Sequence, residues 1–195
     1  MTNVLTAASY CRRLYRMERQ RTISETALQY FLYLAQVESL AQFDKPLFEE
    51  VLIAGENGPY SPIVAASGND ESDYSMHEVP ELLPQDKYLL EYTVKQYARK
   101  PINILHGIVC RDKSWICARE RGEMTGEEYP LMSLEDIRKD AMRVRMVDSI
   151  WMRNKEESDD NRQRLARIRR KKRGESLEPV ITDTGSEEQI SLDPQ

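Results

Sequence analysis

Cysteine is scarce: three residues, Cys11, Cys110 and Cys117, are scattered over 195 positions. That is too few and too dispersed for a disulfide scaffold. No apolar run approaches the ~20 residues that a membrane-spanning helix needs, which excludes that class. The start, MTNVLTAASYCRRLYRM, lacks a basic opening followed by a continuous apolar stretch, so no secretory signal is expected and the predicted location is cytoplasmic. Also missing are a phosphate-cradling glycine loop, a paired-carboxylate motif and a metal-ligand cluster with close spacing. The chain therefore reads as a non-enzyme with no catalytic residues, no cofactor and no metal. Its mean hydropathy of -0.65 is polar for a globular protein and points to a folded part diluted by charged segments.

What charge there is falls unevenly. The net charge is -5, yet Arg162, Arg164, Arg167, Arg169, Arg170, Lys171, Lys172 and Arg173 form a basic run without a single acid. After Gly174 every charged residue is acidic: Glu175, Glu178, Asp183, Glu187, Glu188 and Asp193. Without this tail the remainder carries +1, so the tail supplies the acidic balance. Such a tail can cover a basic segment or compete with an acidic partner for it.

Apolar periodicity supplies the elements. Val4, Ala7, Ala8, Cys11, Leu14 and Tyr15 recur at helical spacing, with Arg12, Arg13 and Arg16 opposite. A second helix is predicted from a Thr22–Glu25 capping box, with Ala27, Leu28, Phe31, Leu32, Ala35 and Leu40 on one face and Tyr30, Leu34 and Val37 widening it. A helix apolar on most sides belongs at the centre; Tyr30 and Tyr33 are expected in the core with their hydroxyls at its edge. Asp44-Lys45-Pro46 ends it, Leu47–Ala54 suggests a short strand, and Asn57-Gly58-Pro59 reverses the chain. Residues Ala65–Pro84 are polar without a period, either an exposed functional loop or a hidden element. Helical spacing resumes over Gln85–Arg99 and again over Pro101–Val109, where Ile104, Leu105 and Ile108 form the apolar side. Trp115 then falls in an irregular stretch, and Ser133 with Asp136 opens a last helix bearing Ile137, Ala141, Val144, Val147 and Trp151.

The expected fold is mainly α: a compact helical domain with a short β-hairpin over 1–153, a basic extension over 154–173 and an acidic tail over 174–195. The extension reads as a solvated helix or as a segment that folds only on a partner. The tail, with too little apolar surface to offset ordering, reads as disordered.

Four separated motifs resemble the Panacea domain, the SocA-like antitoxin domain of prokaryotic toxin–antitoxin systems and phage genomes. Leu28-Gln29-Tyr30-Phe31-Leu32-Tyr33-Leu34-Ala35-Gln36 is similar to that family's L-x-K-L-L-Y-x-A-Q helix, and Lys45-Pro46-Leu47-Phe48 to its K-P-L-F turn. Asn57-Gly58-Pro59-Tyr60 corresponds to its Y-G-P-V reversal, and Leu105 with Trp115 keeps the spacing of its L-S-x-x-T-H-x-x-x-P-W segment. The resemblance spans about Thr22 to Asp140, matching poorly over Ala65–Pro84. Val109, Cys110 and Ser114 replace the family's Thr, His and Pro, Tyr60 replaces a small apolar residue, and Ala65-Ala66 lack its aromatic. What the resemblance implies is a protein-binding antitoxin that neutralises a cognate toxin encoded nearby, or an adaptor that delivers the toxin to a protease.

The candidate partner-binding residues are Asn57, Gly58, Pro59, Tyr60 and Trp115. For each there is a plainer structural reading, a hairpin turn for the first group and a core plug for Trp115. His106 and Cys110 share a helix face at i,i+4 and, with Cys117 and His77, invite a thiol-enzyme or zinc reading. A buried cysteine beside a surface histidine is the favoured alternative. The basic run Arg162–Arg173 would bind nucleic acid with strong salt dependence, or an acidic protein equally well. It lacks interleaved aromatics, so nucleic acid is the less favoured partner.

Overall fold

Asn3 and Ser24 open the first two helices, α1 (Val4–Arg19) and α2 (Glu25–Phe43), each turning a side-chain oxygen onto a backbone N–H two or three residues on. The computed structural model from which these elements come describes residues 2–68, 82–146 and 162–166. The chain divides into two units, Met1–Ser149 and Ile150–Gln195. Within the first, the fold is mainly helical with one two-stranded antiparallel hairpin, as the sequence leads one to expect.

The start of α2 differs from expectation. Its cap is Ser24 and not Thr22, which is exposed. Ile23, just before the cap, is buried in the same core as Leu28, the spacing of a hydrophobic staple, and this fixes the entry two residues later. Glu25 instead accepts a hydrogen bond from Gln29 at 2.8 Å and pairs with Arg12 at 3.3 Å. From Ala27 to Ala41 every residue of α2 is buried, so this helix is the axis of the core, with α1, α4 and α5 packed around it.

Asp44 ends α2 in the left-handed conformation (φ 54°), its N–H returning to Leu40. The expected strand Leu47–Ala54 contracts to β1 (Ile53–Gly55). The reason lies in Gln36, whose side chain accepts from Leu47 N (2.8 Å) and Phe48 N (3.3 Å) and donates to Phe48 O (3.1 Å). Those backbone groups thus have partners without a ladder. β2 (Gly58–Tyr60) pairs with β1, Gly55 opposite Gly58, and residues 130–132 run along the other side of β1 through Ala54 N–Pro130 O and Met132 N–Leu52 O, both 2.9 Å.

Gly58 has φ +122°, and a Cβ there would meet Tyr30 Cε1 at 2.8 Å and Val109 Cγ2 at 3.3 Å. Gly58→Ala is therefore expected to destabilise the domain by about 1–3 kcal/mol, the usual cost of forcing such backbone on an L side chain. An unchanged melting temperature would contradict this.

Helix α3 (Pro62–Ser67) is capped by Ser61 and takes up the first residues of the stretch expected to lack structure. Pro84 opens the next helix, α4 (Pro84–Tyr97); residues 69–81 lie outside the described residues. In α5 (Ile102–Val109) the buried pair is Leu105 and Val109, with Ile108 half-buried and Ile104 exposed, which corrects the expected apolar side. Trp115 is also relocated: it stands in α6 (Lys113–Thr125), not in an irregular stretch. The inward face of α6 is Ser114, Ala118 and Gly122, a four-residue repeat of small side chains. Hydrophobic periodicity does not register such a face. Gly122 sits so close to the returning chain that a Cβ would lie 2.6 Å from Glu127 O. A last helix, α7, runs over 134–146, entered at Ser133 as the spacing implies; Val147 and Trp151 lie outside the described residues. In the second unit, residues 162–166 are helical and exposed. Among the described residues no helix is long and apolar enough to cross a membrane.

Candidate partner-binding site

The polar residues of α2 explain how the surface around them is built. Gln29, Tyr33 and Gln36 follow one another at i, i+4 and i+7, with Tyr30 beside them, on a helix that is otherwise core. Each holds a different segment. Gln29 accepts from Ser61 N at 2.8 Å, and the Tyr30 hydroxyl donates to the Asn57 carbonyl. Tyr33 donates to Asp112 at 2.8 Å and lies 3.0 Å from Ser114 Oγ, while Gln36 secures Leu47 and Phe48. An unpaired buried amide or hydroxyl is costly, so these side chains fix where each loop can sit. Tyr33 is fully buried, hydroxyl included, and not placed at the edge of the core.

Trp115 joins the hairpin. Its Nε1 donates to Gly55 O at 3.0 Å, and Arg119 one turn on donates to Ala54 O at 3.3 Å and Glu128 O at 3.1 Å. Tyr60 meets Tyr129 edge-on, ring centroids 6.4 Å apart. Of the candidate residues, Asn57 is exposed, Tyr60 and Trp115 are half-buried, and Gly58 and Pro59 are buried. The fold thus gathers all five at one hairpin, with Asn57, Tyr60 and part of the indole at the surface. Trp115→Phe removes the bond to Gly55 and is expected to cost about 1 kcal/mol. Trp115→Ala also removes packing, near the lower end of the roughly 3–5 kcal/mol typical of buried aromatics. Denaturant titration followed by circular dichroism distinguishes the two. Unchanged stability together with lost partner binding would make the indole an interface residue alone.

Arg162 and Arg164 are exposed on the helical stretch 162–166; Arg167, Arg169, Arg170, Lys171, Lys172 and Arg173 lie outside the described residues, as does the acidic tail. His106 is exposed and Cys110 half-buried, with Sγ 3.5 Å from Nε2. Burial, and then the charge of Asp112, raise the Cys110 thiol above its ordinary value. That is opposite to the activation a nucleophilic cysteine requires. Cys117 is half-buried and His77 lies outside the described residues.

A groove of about 490 Å³ is lined by Leu34 and Val37 of α2, Ile104 and Ile108 of α5 and Val144 of α7, with Glu38, Arg111, Asp112 and Arg143 as its charged residues. Asp112 precedes α6 in the N-cap position, yet its carboxylate makes no cap bond. Asp140 of α7 caps the helix instead, accepting from Lys113 N at 3.0 Å and Ser114 N at 2.8 Å. Asp112 faces Tyr33 and pairs with Arg143. Burial pushes its carboxyl up to about 6; the Tyr33 hydrogen bond and Arg143 pull it down, and Asp140 pushes it up. Tyr33 is held well above the usual phenol range, first by burial and then by Asp112. The available signal was the Asp112-Lys113-Ser114 sequence, a helix start in its own right, but only folding brings Asp140 and Arg143 to it.

No family model matches the chain, and no curated protein or solved structure matches it either.

Proposed function

We propose that the protein is a non-enzymatic, protein-binding antitoxin that neutralises a cognate toxin by direct contact. One observation supports the reading. The segments that carry the resemblance to the Panacea domain, far apart in sequence, hold one another through shared residue types: Gln36 grips the Lys45–Phe48 turn and Trp115 the strand leading into the Asn57–Tyr60 reversal, while Tyr30, which stands where that family has Lys, donates to Asn57. Residue types shared with a family are explained when each meets a demand of one common scaffold. On that scaffold the surface left for a partner is Asn57, Tyr60 and the outer part of Trp115. Such a complex acts by occupancy: the toxin's working surface is held, and no turnover is needed.

The test is co-expression with the product of the neighbouring gene. Rescue of growth and co-elution of the purified pair are expected, and a chain ending at Asn161 should retain the capture. Replacing Arg167, Arg169, Arg170, Lys171 and Lys172 with Gln is expected at most to slow association, since rim charges steer encounters more than they hold complexes. A protease-dependent fall in toxin level, in place of stable co-elution, would make the protein a delivery adaptor. No rescue or binding, beside salt-sensitive retention on nucleic acid that the five substitutions abolish, would overturn the antitoxin reading in favour of a polyanion binder.

A further inference from the structure

Two buried carboxylates, Asp112 in the wall of the groove and Asp140 three residues before Arg143, share one guanidinium. Asp112 is 7% exposed and Asp140 2%, and Arg143 reaches both: it pairs with Asp112, and its Nη2 lies 3.6 Å from Asp140 Oδ1. The two acids do unlike work. Asp140 satisfies the first N–H groups of α6 and rests on the positive end of that helix. Asp112 satisfies no backbone group; its partners are Tyr33 and Arg143.

We propose that Asp112 and Arg143 form a proton-operated latch on the groove: ionised Asp112 holds Arg143, and protonation of Asp112 releases Arg143 from that carboxyl, leaving Asp140 as its acidic partner.

The cluster permits this change without unfolding. Capping of α6 does not depend on Asp112, because Asp140 supplies it. A neutral carboxyl still accepts from the Tyr33 hydroxyl, and Ser114 Oγ stands 3.0 Å away as that hydroxyl's second partner. The one interaction that requires a negative charge on Asp112 is the pair with Arg143. The groups around Asp112 divide: burial and Asp140 favour the protonated form, the Tyr33 hydrogen bond and Arg143 oppose it, and burial is the largest influence, while Arg111 lines the same groove. Tyr33 from α2 offers a hydrogen bond but no charge, and Asp140 from α7 repels. Glu38 from α2 adds a further acid around Tyr97 of α4, whose hydroxyl also senses Asp112. Cys110 at the end of α5 is neutral, and Arg143 is the cation that bonds to Asp112. Burial, the largest influence, places its titration near 6, within the range where cellular pH changes act. The Arg143 side chain is half exposed and lines the groove, so once released from Asp112 it has water and Asp140 as partners. The latch therefore changes the charge of the cluster, from two carboxylates sharing one guanidinium to the Asp140–Arg143 pair alone.

The experiment is a pH titration of the full chain by NMR, following the Asp112 side-chain carboxyl carbon and the Arg143 Nε–Hε resonance between pH 4.5 and 8. Both are expected to move with one midpoint near 6. In Asp112→Asn the Arg143 resonance should stay constant across that range, at the position it takes in the unmodified chain at low pH. In Arg143→Gln the Asp112 midpoint should rise to about 7 or above, because the stabilising cation is gone. The second variant keeps the test decisive if the first fails to fold. An Asp112 midpoint below 5, an Arg143 resonance that ignores it, or an unchanged midpoint in Arg143→Gln would overturn the latch.

Discussion

Gln36→Ala is expected to be among the most damaging single substitutions in the chain, lowering stability by roughly 3 kcal/mol or more. The side chain is 3% exposed and makes three hydrogen bonds to the backbone of Leu47 and Phe48. Truncation leaves two N–H groups and one carbonyl without these partners in a buried setting, and each such loss costs about 1–3 kcal/mol. It also leaves a cavity beside Phe48, itself 1% exposed. Packing and hydrogen bonding are separated by Gln36→Met, which restores most of the volume but none of the bonds. Urea denaturation should place the methionine variant close to the alanine one. If methionine restores the stability, the amide is not what fixes the turn.

The second large effect is a dependence on pH. The folded-state carboxyl of Asp112 titrates near 6, against about 3.9 for an unfolded aspartate, so the folded protein binds a proton there more tightly than the unfolded chain. Its contribution to stability is therefore fully present below about pH 4 and is lost as the pH rises through 6. The loss amounts to something of order 3 kcal/mol. Other carboxylates act the other way: Asp136, held low by its bonds to Lys139 and then by Arg121, loses its contribution only as the pH falls below the usual carboxylate range. The Asp112 contribution is isolated as the difference between the unmodified chain and Asp112→Asn. Relative to the unmodified chain, the variant should be more favoured at pH 8 than at pH 4 by about that amount, with the change centred between 4 and 6. Parallel stability curves would show that Asp112 titrates alike in both states.

The order of elements was legible because long apolar periods and turn residues are local. The burial of α2 follows from Ala27, Leu28, Phe31, Leu32, Ala35 and Leu40 with Tyr30, Leu34 and Val37, too many apolar faces for a surface helix. The hairpin follows from Asn57-Gly58-Pro59, where Gly58 takes a backbone angle that other residues resist. The differences arise where packing or a hydrogen bond overrides the local pattern. Leu47–Leu52 has the composition of a strand but needs no ladder at its start, because Gln36 meets its backbone from eleven residues away. Helix α6 turns Ser114, Ala118 and Gly122 inward, and small residues bury closely without any hydrophobic signature. Thr22 and Glu25 have the spacing of a capping box, yet burial of Ile23 makes Ser24 the cap.

The sequence by itself determined that this is a helical domain around one apolar axis with a single tight reversal, since those follow from side-chain period and backbone sterics. The tertiary structure alone decided the polar joints. Gln36, Tyr33 and Asp140 look like incidental polar residues when read along the chain. In the fold they are buried and bonded to backbone N–H groups, a carboxylate and a helix end. Satisfying a buried polar group depends on where distant segments meet, and no local pattern encodes that meeting.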